Sequence, residues 1–589
     1  MEPMKKFQPT LEHALYALAL VIAAGLRFLH LGALPLSDYE ATWALQALRI
    51  VQGLRPGIGP NPAYVHLTAI LFFIFGTTNF LARFWPALAG CALVLAPWFL
   101  RGRFGRLAAL AVAFGLAIDP GLVAMSHLAG GPMLAITLLV FTGLMWMEKR
   151  PVLAGVLAGL ALLSGPSIWF GILGLVLAWA FAANIGKKVP APVEETGGKA
   201  KRKPAAPEAP AKAAGPGRFF TDELRAALLW GVGTLLVGGT LFLLSPKGLS
   251  GFGASAWASL SGWWTVSDTQ FWQPLLALPA YEILPLGFGI AGAVRGILKR
   301  DADSLRLAIW ALVAFVLSLI YPGKQVSDLV WALLPLWALA GLELSHHFDF
   351  AGQNMWEFSA TFALVIAVLV FGWLKLADLT TVDLSASTSR INIYILPAFL
   401  LLIFMALALA WTGWSRAIAR LAGVWSFTVA LTAFTVAMAT GSAGLRQPLT
   451  AELWLPEPRT SRVDVLLKVA SQISDLNRGY AEQLPLTILQ VDSPALHWVF
   501  RDWKVQDVSD LAPDATPELL ITPPGNVSLA VKYRGEGLPL YEHITWDQAT
   551  ASDWLKWIIY RQAPIARDDI ILWVRADLML DDQSTQPTP

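Results

Sequence analysis

The chain has 589 residues, 56% of them hydrophobic and only 14% charged, with 26 Trp and a net charge of +2. That composition excludes a soluble globular protein and identifies a polytopic membrane protein, and the small net charge gives no footprint for nucleic acid. Cys91, the single cysteine, lies in an apolar run, so it has no intrachain disulfide partner and leaves the redox compartment open.

Taken from the N-terminus, Lys5 and Lys6 precede a long apolar run with no small-residue cleavage site after it. It reads as a retained first span rather than a signal peptide. At about 20 apolar residues per crossing, further spans fall near 80–100, 106–126, 132–147, 151–164, 167–184, 224–244, 274–297, 305–321, 329–344, 358–376, 391–411 and 417–440. With the first at 13–31, these make about thirteen crossings. Basic clusters at Lys5/Lys6, Arg101/Arg103/Arg106, Lys149/Arg150, Lys187 to Arg218, Arg295 to Arg306 and Arg416/Arg420 put the N-terminus in the cytoplasm and the tail outside. That parity requires Tyr64 to Gly76 to be a helix lying at the outer surface.

Four regions follow. Residues 1–184 form the first half of a membrane domain, with an acidic first outer loop at 32–79. Residues 185–220, rich in Pro, Ala, Gly and Lys, form a disordered basic cytoplasmic loop that acts chiefly as a topology signal. Residues 221–444 form the second half, and 445–589 an extracytoplasmic tail. The tail alternates helical periods at 463–473 and 554–560 with short strand candidates at 486–491, 519–521 and 570–574, which fits a small α/β domain. It carries neither a Gly-rich phosphate loop nor a nucleophile elbow. The fold class is therefore mainly α: a multi-pass helix bundle of the plasma membrane with a small α/β domain at its C-terminus.

Polar residues converge on the outer side of this topology. Asp38 and Glu40 stand in the first outer loop, His127 at the outer end of the third span, Glu282 at the start of the eighth, and Lys324 with Asp328 between the ninth and tenth. Two carboxylates held at a membrane surface suit acid/base chemistry on a lipid-borne substrate. Lys324 and Asp328, four residues apart, also suit a local ion pair, and His127 suits a structural hydrogen bond. Trp257, Trp263, Trp264, Trp272 and Tyr281 read as an interfacial belt first and a sugar platform second, and Trp331 and Trp337 as packing residues within a span. No His/Asp/Glu spacing specifies a metal site. His346 and His347 with Asp349 come nearest, and a divalent cation is the one cofactor left open.

These residues sit in segments that together resemble the GT-C class of integral membrane glycosyltransferases. The likeness is to glycosyltransferase 39-like proteins (dolichyl-phosphate-mannose mannosyltransferase-like), including an archaeal family associated with flipping of dolichol-phosphate sugars. The segments are Leu34 to Ala41, Phe75 to Gly90 with Arg83 at its centre, Asp119 to Leu122, Ser126 to Gly131, Tyr321 to Leu339, Leu496 to Trp503 and Trp557 to Arg561. The resemblance implies transfer of a sugar from a polyprenyl-phosphate-linked donor to a glycan, lipid or protein acceptor. It makes Asp38 the base, Glu40 its partner and Lys324 the holder of the leaving phosphate, with Asp328, Glu282, His127 and Arg83 as further substrate-binding candidates. Aligned without gaps from Pro35 to Ala41, however, the family's Asp-Glu pair falls on Tyr39-Glu40, and His127 and Gly130 stand where an Arg and an acidic residue are common. A catalytically inactive relative assisting lipid-linked sugar flipping or glycan assembly is therefore the alternative. A transporter comes third, since neither broken-helix repeats nor charges deep inside the spans stand out.

Overall fold

The computed structural model describes residues 10–183, 221–381, 389–446, 451–455, 458–525 and 527–579, excepting the side chains of 381 and 389–396. The expected disordered loop at 185–220 lies outside the described residues. Among the described residues, six helices have the length and composition to cross a membrane: Leu11–Phe28, Asn79–Phe104, Ala302–Ile320, Val326–Ser345, Met355–Asp378 and Arg416–Ser442. Two bent pairs, Arg106–Ile118 with Pro120–Ser126 and Trp272–Tyr281 with Ile283–Lys299, raise the number to eight if each is one span. The thirteen expected crossings all fall on helices, but several of these, such as Met133–Met147, Pro151–Leu162 and Ser167–Ala182, are shorter than one crossing alone requires.

Local chemistry sets the helix starts. Asp301, Ser415 and Thr221 cap their helices by accepting from the backbone N–H three residues on, while Pro62, Pro120 and Pro151 stand in the first turns, where no donor is needed. Val326–Ser345 is the central post, with 83% of its apolar window buried, against 17% for the peripheral Met355–Asp378. The helix Pro62–Phe75 differs from the expected surface helix. Pro62 to His66 are buried, with the Tyr64 hydroxyl donating to Ala82 O (2.7 Å) and His66 Nδ1 to Gly238 O (2.9 Å); Phe73 to Phe75 face outward.

The bundle has two chemically distinct ends. At one, Arg106 pairs with Glu12 (3.8 Å), Arg103 donates to Asp303 (3.0 Å), and Arg295 pairs with Glu343. The other carries the first loop and the tail. The tail folds as a six-stranded sheet of β1 (Arg459–Thr460), β2 (Leu486–Leu489), β3 (Val505–Val508), β4 (Leu519–Thr522), β5 (Tyr533–Ile544) and β6 (Ile565–Arg575), in the order β1-β5-β6-β4-β2-β3. β2 pairs in parallel with β3 and β4, and the remaining pairs are antiparallel. The central strands β2 and β4 are buried throughout, and the helix Val463–Arg478 contributes Val463, Leu466, Ala470 and Ile473 to the same core.

Candidate active site

The helix Asp38–Val51 opens on a capping box. Ser37 Oγ accepts from Glu40 N–H, and Glu40 Oε2 reaches back to Ser37 N (3.0 Å) and Oγ (3.2 Å). The same carboxylate takes both arms of Arg83, Nε at 2.7 Å and Nη2 at 2.6 Å, and the Ala129 N–H at 3.0 Å. Arg83 in turn donates to the carbonyls of Leu31, Leu34 and Pro35. Glu40 and Arg83 are thus a buried bidentate pair that shapes the first loop, with every strong acceptor position of Glu40 taken. Burial alone would raise the Glu40 pKa, but the Arg83 charge and the donated hydrogen bonds outweigh it and hold the carboxyl below its ordinary value.

Asp38 faces the tail. Its Oδ1 accepts from Ser493 Oγ and from Ala495 N, both at 2.8 Å, and its Oδ2 from the Tyr541 hydroxyl. Ser493 also caps the helix Pro494–Val499, so the carboxylate meets one backbone donor, Ala495 N, at that helix's start. Alongside, Trp498 Nε1 donates to Asn79 Oδ1 (2.7 Å) and stacks on Phe72, while Arg501 Nε donates to Thr77 Oγ1 (3.2 Å). Tyr39, between the two acids, donates to Gly130 O (2.9 Å), and burial pushes its pKa up to about 12.

Two cavities lie in the seam between bundle and tail, with Leu128 and Leu455 lining both. The larger, about 600 Å³, is charged: Glu40, Arg83, His30 and His127 face Arg459, Arg462, Asp464, Glu542 and Arg567 of the tail. His127 Nε2 donates to Leu26 O (3.0 Å), which is the structural bond its sequence context allowed. The smaller, about 460 Å³, is lined by Tyr39, Trp454, Gln273, Gln325, Ser327 and hydroxyls of the 266–269 loop, with Asp268 as its one carboxylate.

Lys324 belongs to a segment stitched to that loop. Gly323 N donates to Gly262 O (2.7 Å), Ser267 N to Pro322 O (3.1 Å), Ser267 Oγ to Lys324 O (2.6 Å), and the Tyr321 hydroxyl to Ser259 O (2.7 Å). A Cβ on Gly323 would lie 2.8 Å from Gly262 Cα, so only glycine permits this approach. Asp328 does not pair with Lys324; its Oδ2 accepts from Gln325 N (2.9 Å) and caps the turn. Residues 325–327 line the smaller cavity.

Glu282 lies apart from both cavities, fully buried at the 90° break between Trp272–Tyr281 and Ile283–Lys299. Its Oε1 accepts from Gly121 N (3.2 Å), next to Asp119 at the 53° break of the other bent pair. Asp119, within the expected span at 106–126 but not among the candidate site residues, accepts from Leu122 N and Trp337 Nε1, both at 2.6 Å. Among the described residues no three His, Cys, Asp or Glu gather as metal ligands; His346 bonds Leu342 O and His347 meets Glu343. The aromatic belt divides: Trp257 and Trp264 are exposed, Trp272 packs on Trp546 and Trp554, and Tyr281 is buried under Arg561 with Trp454 and Trp557.

No family model matches the sequence, and no curated protein matches it. Among solved structures, the chain is similar to ArnT from Cupriavidus metallidurans bound to undecaprenyl phosphate, with 16% identity over 97% of this chain and 99% of that one and a TM-score of 0.54. It is similar to the apo form of the same protein at 15% identity, over 97% and 98%, with a TM-score of 0.52. At such identities the likeness is one of fold, and it extends over both chains: an apolar helix bundle with membrane-length helices and a C-terminal sheet domain.

Proposed function

We propose that the protein transfers a sugar from a polyprenyl-phosphate-linked donor to an acceptor on the extracytoplasmic side of the membrane, with its N-terminus in the cytoplasm and its tail outside. The observation that carries this reading is the whole-chain likeness to ArnT, whose solved form holds undecaprenyl phosphate. Two cavities in the seam where the first loop meets the tail fit it. A leaving lipid phosphate gains charge, and a nearby cation lowers the cost of that charge. Lys324 is the proposed cation, because its ammonium takes up no hydrogen bond or ion pair among the described residues and the next three residues line a cavity.

The first-loop acids act here by position. Glu40 with Arg83 fixes the loop and walls the charged cavity, and Asp38 holds the tail over it. Their full engagement also favours the second reading, a GT-C relative that binds the lipid-linked sugar without turning it over.

Purified, detergent-solubilised protein incubated with a panel of undecaprenyl-phosphate hexoses decides between them. Release of undecaprenyl phosphate by wild type, with a fall of about 10²-fold or more in Lys324→Ala, is expected for a cation acting on developing charge. Lipid binding without release by wild type overturns transfer in favour of the accessory role.

A further inference from the structure

We infer that Asp268 is the general base that deprotonates the acceptor hydroxyl, acting in the smaller cavity; the inference rests on the transfer reading above. A hydroxyl needs a base within hydrogen-bonding reach, and that base needs a lone pair to spare. Glu40 carries five donors, from Arg83 Nε and Nη2, Ala129 N, Ser37 N and Ser37 Oγ. Asp38 is tied to the tail by three, from Ser493, Ala495 and Tyr541, and lines neither cavity. The first-loop residue that reaches the smaller cavity is Tyr39, whose hydroxyl is spent on Gly130 O.

Asp268 has what these lack. It is the single carboxylate among the residues lining the cavity, it is exposed, and it takes up no hydrogen bond or ion pair among the described residues. Its placement is fixed from behind, because Ser267 donates through its N–H to Pro322 O and through Oγ to Lys324 O. Base and phosphate-holding cation thus belong to one stitched unit, with the carboxylate and the lysine on the two strands of the stitch. The rest of the lining suits an uncharged ring: the amides of Gln273 and Gln325, the Ser327 hydroxyl, and the faces of Tyr39 and Trp454, whose Nε1 is buried with no partner.

In the step itself, the acceptor O–H proton passes to a carboxylate oxygen of Asp268 as the acceptor oxygen bonds to the anomeric carbon. The bond from that carbon to the donor's phosphate oxygen breaks. Its electron pair leaves with the polyprenyl phosphate, facing Lys324, and Asp268 afterwards returns its proton to water.

The test uses the full chain in detergent with undecaprenyl-phosphate hexoses, reading release of undecaprenyl phosphate with water or added alcohol as acceptor. Asp268→Asn is expected to lower kcat by about 10²- to 10⁴-fold with KM little changed. Asp268→Glu should restore part of the rate, and the asparagine variant should melt at the same temperature as wild type. A wild-type kcat in Asp268→Asn overturns the assignment while leaving transfer intact. No release by wild type from any donor removes the transfer reading and the base with it.

Discussion

Glu40 and Arg83 show how a charged pair can build a membrane-surface loop. With side-chain exposures of 4% and 7%, the two ions are out of water, and the pair stands because both are fully hydrogen-bonded. Removing one partner leaves the other charge buried and uncompensated, at a cost of about 3–5 kcal/mol. Glu40→Gln is therefore expected to lower the melting temperature of the solubilised protein sharply. The pH dependence has a definite sign. The folded Glu40 carboxyl titrates below its ordinary value of 4.5, so its stabilisation is complete above that value and is lost as the pH falls through the folded pKa. Wild type should lose melting temperature as the pH is lowered below about 4.5, and Glu40→Gln should lose less over the same interval. Equal acid loss in the two proteins would show that Glu40 does not carry the effect.

Among the helices, the break at Asp119 has a chemical explanation that reaches across the bundle. Pro120 has no N–H, so the Leu116 carbonyl loses its helical donor. Arg27 supplies the replacement, giving Nη2 to Leu116 O (2.9 Å), Nη1 to Ala117 O (2.8 Å) and Nε to Ser126 Oγ (3.1 Å) while fully buried. Arg27→Met should leave two buried carbonyls without donors, costing about 1–3 kcal/mol each. Hydrogen exchange across 116–126 should then rise above that of the neighbouring helices, and unchanged exchange would count against the donor role. This cluster is hidden in the sequence because its members are about 90 residues apart and nothing local marks Arg27, within the first span, as their partner. Elements with their own period were legible: the tail helices at 463–478 and 551–560, the buried strands β2 and β4, and the alternating second half of β6. β5 was not, since Gly535, Gly537 and Pro539 interrupt any alternation and its extension comes from pairing with β6 along most of its length. The candidate site was legible in its first-loop and Lys324 segments, but Asp268 looks like an ordinary loop residue until the Ser267 stitch and the cavity are seen.

At the scale of the whole molecule, the tail walls both seam cavities, so its attachment governs the site. The strongest tie is Asp38, where Ser493 Oγ, Ala495 N and Tyr541 OH converge on one carboxylate, with burial first and the neighbouring acid second holding the tyrosine pKa above its usual value. Arg561 Nη2 to Ala280 O (2.6 Å) and Leu453 N to the Tyr281 hydroxyl (3.0 Å) secure the far side. Hydrogen bonds to a charged group contribute about 1.5–3 kcal/mol each, and 1.4 kcal/mol is a factor of ten in an equilibrium. The double variant Ser493→Ala, Tyr541→Phe removes two of three donors from Asp38. It is expected to raise hydrogen exchange across 493–499 by about tenfold or more, with the helices 302–320 and 326–345 unchanged. Because the sheet core keeps Leu486, Leu519 and Ile521 buried independently of the latch, the tail should stay folded while it loosens. Exchange that stays at the wild-type level would mean that the far-side contacts alone hold the tail. Exchange that rises throughout the sheet would mean that Ser493 and Tyr541 stabilise the tail's own fold and not its docking.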